Sequence, residues 1–66
     1  MERVIKLLER KDMECKMDIR NQESYLMDNM RNIDLGWAEA IHRHIVSQRE
    51  LRAEILRAIR ILRYEV

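Results

Sequence analysis

The second half of the chain, 37-WAEAIHRHIVSQRELRAEILRAIRILRYEV-66, has the pattern of one uninterrupted amphipathic helix. Its apolar and small residues recur at alternating steps of three and four, so they share one side of a helix. We define the seam of a helix as the row of side chains that faces another helix. The predicted seam here is Ile41, His44, Gln48, Leu51, Ile55, Ala58 and Leu62. A helix of this kind is stabilised mainly by packing, so the rest of the chain is expected to supply a partner.

The first half of the chain supplies a matching pattern. From Glu2 to about Arg31 the one turn-prone cluster is Asn21–Ser24, so we predict a single long helix. A break at that cluster would give three helices instead. The predicted seam of this helix is Ile5, Leu8, Asp12, Cys15, Ile19, Gln22, Leu26, Met30 and Ile33. Because the steps match those of the second helix, the two helices are expected to pack along their whole length.

Between the two patterns lies Asn32-Ile33-Asp34-Leu35-Gly36, a turn-prone segment. Asn32 or Gly36 is predicted to adopt the left-handed conformation that ends a helix, and Asp34 to cap the next helix. A connection this short makes the helices antiparallel neighbours.

The predicted fold is therefore all-α, a long antiparallel helical hairpin in a single domain, residues 1–66. We expect helices at about 2–31 and 37–65 with a turn at 32–36. Folding the chain about residue 35 sets six pairs of side chains beside each other. These pairs are Leu8 with Leu62, Asp12 with Ala58, Cys15 with Ile55, Ile19 with Leu51, Gln22 with Gln48, and Leu26 with His44.

A hairpin of this size has little interior of its own. Ordering a chain costs roughly 1.5 kcal/mol per residue, which two helices touching along one seam do not offset. Cys15 is the one cysteine, so a disulfide within the chain is excluded. We therefore expect self-association into a four-helix bundle, a homodimer or higher. The residues predicted to form an oligomer or partner interface are Met13, Met17, Met27, Ile45, Leu56, Ile59 and Trp37.

Composition limits the classes of function. A net charge of +1 argues against a polycation that coats nucleic acid by bulk charge. No apolar run approaches the roughly 18 residues that a membrane span requires. These features predict a soluble, cytoplasmic (intracellular) protein with no membrane partner.

Arginines form the most suggestive surface of the second helix. At about 100° per residue, four arginines lie along one strip of the second helix. They are Arg49, Arg52, Arg60 and Arg63, with His42 at the edge of the strip. Guanidinium groups bind phosphate and carboxylate in bidentate fashion, so nucleic acid or a nucleotide is one predicted ligand. The other interpretation is a solvated surface on which the arginines pair with glutamates of their own helix, such as Glu50 and Glu54.

Polar residues on the seams have a structural explanation. Gln22, Gln48 and His44 are predicted to form a polar layer that fixes register. The spacing Glu39-x-x-His42 occurs once and points outward, so a metal site is not expected. Cys15 has no histidine placed to activate it. With no catalytic group and no cofactor expected, the sequence predicts a non-enzymatic interaction or regulatory protein that self-associates and binds a macromolecular partner. An anion-binding module using the arginine strip is the alternative.

Overall fold

The structure is a computed structural model that describes residues 2–64, and it consists of two antiparallel helices. Helix α1 spans Glu2–Asp28 and helix α2 spans Leu35–Tyr64. The predicted all-α hairpin is confirmed. Since α1 is continuous through residues 21–24, the alternative with three helices is excluded. The predicted last residue of the second helix, Glu65, lies outside the described residues.

The turn differs from the prediction in its position and its conformation. α1 ends at Asp28, about three residues earlier than expected. Asn29 N–H still donates to the Tyr25 carbonyl (3.1 Å), and the N–H groups of Asn32 and Ile33 both donate to the Asn29 carbonyl (3.0 and 2.9 Å). Among residues 2–64 none has a positive φ, so the predicted left-handed residue is wrong. A left-handed residue is not required, because the chain leaves α1 through turns without positive φ in which the Asn29 carbonyl accepts two N–H groups.

The predicted helix cap at Asp34 is confirmed. Its carboxylate Oδ2 accepts from the Trp37 N–H (3.3 Å), and its carbonyl accepts from the Ala38 N–H (2.9 Å). Gly36 lies in the first turn of α2, where an added Cβ would stand 3.1 Å from Asp34 Oδ2. Glycine at this position therefore leaves room for the capping carboxylate, which is a different role from the one predicted.

The interior of the hairpin consists of two apolar clusters along the seam. The first holds Cys15, Ile55 and Ile59, with Ile5, Leu8 and Leu51 packed against it. The second holds Ile19, Ile41 and Ile45, with Leu26 and Ile33 packed against it. Cys15 thus packs with Ile55 as predicted, whereas Ile19 packs with Ile41 and Ile45 instead of Leu51.

The seam of α1 is close to the prediction, and the seam of α2 is rotated. Within α1 every predicted seam residue is buried or half-buried. Just beyond its end the predicted Met30 is exposed, while the preceding Asn29 is half-buried. In α2 the next residue along the chain is more deeply buried than two of the predicted members. Ile45 is buried where His44 is exposed, and Ile59 is buried where Ala58 is half-buried. Arg52 and the predicted Leu51 are both half-buried, and Leu51 packs against the first cluster. The predicted and observed rows share Ile41, Gln48, Ile55 and Leu62, so spacing alone fits both. The observed row buries two additional isoleucines, and this gain in apolar burial favours it.

The molecule is a rod one layer thick. Its extents are 51 × 14 × 11 Å and its radius of gyration is 15.2 Å, whereas a compact chain of this length has about 11 Å. Its accessible surface is 5775 Å² at 8.1 kDa, whereas a compact monomer of that mass exposes about 4,500 Å². The hairpin therefore exposes roughly 1,300 Å² more surface than a compact protein of its size. Neither described helix combines the length and apolar character needed to cross a membrane.

Candidate functional site

A group of hydrogen-bonded polar side chains lies between the two apolar clusters. Asp18 Oδ2 accepts from Gln48 Nε2 (2.7 Å) and also pairs with His44 Nε2. The thiol of Cys15 donates to Gln48 Oε1 (3.6 Å), so one amide links the two helices twice. Hydrogen bonds from Gln48 and His44 lower the pKa of the Asp18 carboxyl below its ordinary value. The group is therefore a carboxylate held charged at the middle of the hairpin.

The three predicted members of the polar layer, Gln22, Gln48 and His44, all interact with the Asp18 carboxylate, which the prediction did not include. Gln48 bonds Asp18 and Cys15, and His44 lies at the exposed border of the seam. Asp18 was missed by sequence reasoning. Its one signal was its position immediately before the seam residue Ile19, next to the interface with α2.

A second polar contact lies within the seam itself. Arg52 Nε donates to Asp12 Oδ1 (2.8 Å) and a terminal NH₂ donates to Oδ2 (3.2 Å), a bidentate pair. The side chains are 30% and 18% exposed, respectively. The hydrogen bond to Asp12 raises the pKa of Arg52 further above its ordinary value, so it remains charged. The sequence predicted Ala58 beside Asp12 and did not indicate Arg52, which is the hydrogen-bond partner of Asp12 in the structure.

Two other arginines of the strip also meet α1. Arg49 donates to Glu23 Oε2 (2.7 Å) and Arg63 donates to Glu9 Oε2 (3.3 Å). The glutamates that pair with the strip therefore come from the other helix instead of Glu50 and Glu54. These ion pairs are about half exposed, so each contributes on the order of 0–1 kcal/mol to stability. An anionic ligand at this strip would have to displace carboxylates already in place.

Two members of the predicted anion site have a different environment. His42 and Arg60 are both exposed. Among residues 2–64, no carboxylate lies within ion-pair distance of either side chain. Arg60 lines an open recess of about 370 Å³ together with Leu56, Ile59, Arg63 and Tyr64. The predicted anion-binding residues therefore share one side of the rod, but most of their charge is already matched.

The predicted interface residues fall into two groups. Met13, Met17, Met27, Leu56 and Trp37 are exposed in the hairpin. Ile45 and Ile59 are 4% and 6% exposed and belong to the interior of the hairpin. The expectation that these two isoleucines lie on an open surface is wrong, because the rotated seam of α2 buries them.

Of the open recesses near the turn, two are lined mainly by apolar surface. One of about 330 Å³ is lined by apolar side chains, namely Leu26, Met27, Met30, Ile33, Leu35 and Ala38. The other, of about 230 Å³, lies beside Trp37 and His44 and is completed by Gln22, Ala40 and Ile41. Apolar linings and shallow shapes suit contact with another protein surface.

The described residues offer few groups suited to metal binding or nucleophilic chemistry. Across residues 2–64 there is no group of three or more His, Cys, Asp or Glu side chains that could hold a metal ion. Cys15 is buried at the seam and its thiol contacts Gln48. Comparison of the chain with protein-family models, curated proteins and solved structures gives no match.

Proposed function

We propose that this protein is a non-enzymatic interaction protein that self-associates and binds a macromolecular partner. The observation that carries the proposal is the surplus of surface on a rod one layer thick. A stable protein interface buries about 800 Å² on each partner, and the surplus of roughly 1,300 Å² exceeds that area.

Exposed apolar side chains support the same proposal. They occur on both helices and at the turn, and they include long side chains such as Met27, Leu35 and Trp37. Methionine and tryptophan are enriched at protein interfaces because they provide large contact areas. A rod with such side chains along its length is suited to bundling with other helices.

The alternative, an anion-binding module, has less support. Arg49, Arg52 and Arg63 already bind carboxylates of α1. The remaining candidate cations, Arg60 and His42, do not form a bidentate cluster by themselves. A nucleic acid would have to exchange these ion pairs for phosphate contacts, so the net gain in charge pairing would be small.

Two measurements test the proposal. Light scattering coupled to size exclusion should give a mass of at least twice 8.1 kDa at micromolar concentration, and a folded single-chain species would contradict self-association. Labelled RNA, DNA and nucleotides should bind weakly and without a steep salt dependence. Tight, salt-sensitive binding that is lost in Arg60→Glu and kept in Arg57→Glu, a control with the same charge change, would favour the alternative.

A further inference from the structure

The two broad sides of the hairpin are distinguishable by the contacts between the helices. The seam repeats every seven residues, so residues spaced by seven beside it form a row along the rod. Asp18 on α1 and His44 on α2 are in contact, which places their two rows side by side. The row through Asp18 is Val4, Lys11, Asp18 and Tyr25, and the row through His44 is Trp37, His44, Leu51 and Ala58.

The opposite side is defined in the same way by two ion pairs. Glu9 and Glu23 are spaced by fourteen residues on α1, and they pair with Arg63 and Arg49 on α2. This side of the rod is covered by alternating charges. Lys16 lies midway between the two glutamates, and Leu56 lies midway between the two arginines. We call it the ion-pair face.

The side marked by Asp18 and His44 is richer in apolar residues. Leu7 and Ile61 adjoin its rows, each three residues after a row member. We define the Trp37 face by its six large apolar residues: Val4, Leu7, Tyr25, Trp37, Leu51 and Ile61. All except Leu51 are exposed, and Leu51 is half-buried.

We propose that the Trp37 face is covered by a second copy of this chain, packed face to face about a two-fold axis to give a four-helix bundle. The inference deepens the proposed function, on which it rests, by naming the surface used for self-association. It replaces the methionine stripe of Met13, Met17 and Met27 as the dimer interface. The methionine stripe follows the outer side of α1 and is interrupted by charged residues such as Lys16 and Arg20.

The width of the apolar surface on α2 is the first argument. A helix that meets one neighbour needs two apolar positions in seven, whereas a helix in a bundle needs three. Trp37, Leu51 and Ala58 supply the third position on α2, beside a seam that α1 already covers. In this arrangement the row through Ile45 faces α1 within the hairpin, and the row through His44 faces the second copy.

The distribution of charge is the second argument. At the open end the face carries Val4, Leu7 and Ile61, and at the turn end it carries Tyr25 and Trp37. Both ends carry apolar residues, so parallel and antiparallel stacking each place one such end on another.

The charged residues on the rows of the Trp37 face include Lys11, Glu14, Asp18 and Glu54 between its two ends, and Asp28 at the turn end. Asp18 already has Gln48 and His44 as partners, so covering it would not bury an unpaired carboxylate.

Size is the third argument and identifies the occupant. A broad side of 51 × 14 Å matches a partner of the same length, and a second hairpin is such a partner. A two-fold contact also covers the same surface on both copies, so neither rod keeps its Trp37 face exposed. The required burial of about 800 Å² per partner lies within the surplus surface of each chain.

Matched double variants test the assignment. Leu7→Lys with Ile61→Glu changes the Trp37 face, and Met13→Lys with Leu56→Glu changes the other side without altering net charge. The four side chains are similarly exposed, at 59%, 51%, 54% and 48%, respectively, so neither pair removes a core residue. We expect the first variant to raise the dimer dissociation constant by about a hundredfold or more in sedimentation equilibrium, because four apolar contacts per dimer are lost. The second variant should dimerise like the wild type.

The outcomes separate the two proposals. Dissociation by the second variant alone, or equally by both, overturns the assignment to the Trp37 face but leaves self-association intact. A wild-type chain that is monomeric at every concentration contradicts the proposed self-association itself. Circular dichroism checks that each variant is helical.

A measurement on the unmodified protein keeps the test valid if a variant fails to fold. Trp37 is the single tryptophan and is 55% exposed in the hairpin. Its emission should shift to shorter wavelength, and its quenching by acrylamide should fall, as the measured mass doubles. Emission and quenching that stay constant while the mass doubles would overturn the assignment.

Discussion

The bidentate pair between Asp12 and Arg52 provides a quantitative test of the fold. Both residues occupy seam positions where the flanking layers are apolar, and both side chains are less than one third exposed. Exposed ion pairs contribute about 0–1 kcal/mol, and breaking a fully buried pair costs about 3–5 kcal/mol. For this half-buried pair we expect Asp12→Ala to destabilise the protein by about 2 kcal/mol, because Arg52 loses both hydrogen bonds.

A double-mutant cycle isolates the pair. Asp12→Ala, Arg52→Ala and the double variant should give a coupling energy of about 1–2 kcal/mol. Replacing both residues with leucine completes the apolar seam, so that variant should be as stable as the wild type or more stable. Urea unfolding followed by circular dichroism, at one fixed chain concentration, measures all of these values. A coupling energy near zero, together with a strongly destabilised double-leucine variant, would refute the seam assignment of α2.

Three further substitutions test separate parts of the structure. Ile45→Ala should cost about 2–5 kcal/mol because the side chain is buried, whereas Leu56→Ala on the exposed side should cost less than about 1 kcal/mol; equal losses in thermal or urea unfolding would contradict the observed seam. Asp34→Ala should cost about 1 kcal/mol through loss of the helix cap, and an unchanged unfolding midpoint would argue against the capping bond. The pKa of Asp18 is lower in the folded protein than in the unfolded chain, so its stabilisation is present above the unfolded carboxyl pKa and is lost as pH falls through the folded value. Asp18→Asn should therefore flatten the decrease in stability below about pH 4, and an acid limb identical to that of the wild type would contradict this role.

The sequence was sufficient to predict the seam of α1 and insufficient to predict the seam of α2, for a physical reason. On α1 the apolar stripe is narrow, so spacing selects nearly every seam residue from Ile5 to Ile33. On α2 the stripe is three positions wide, so a row through His44 and a row through Ile45 fit the same periodicity. Only packing against α1 selects between them, and that packing is not visible in one helix alone.

The partners of the arginines were hidden for a similar reason. Helical periodicity correctly placed Arg49 and Arg63 on one side of α2, but pairing with Glu23 and Glu9 depends on the register of the two helices. The partners of Asp12 and Gln48, which are Arg52 and Asp18, likewise depend on how the two helices face each other.

We propose that a single hairpin exposes too much surface, including long apolar side chains, to remain alone. Sedimentation equilibrium of the unmodified chain over a range of micromolar concentrations measures this. We expect a mass of at least twice 8.1 kDa that falls towards 8.1 kDa on dilution. A helical species of 8.1 kDa at every concentration would rule out self-association.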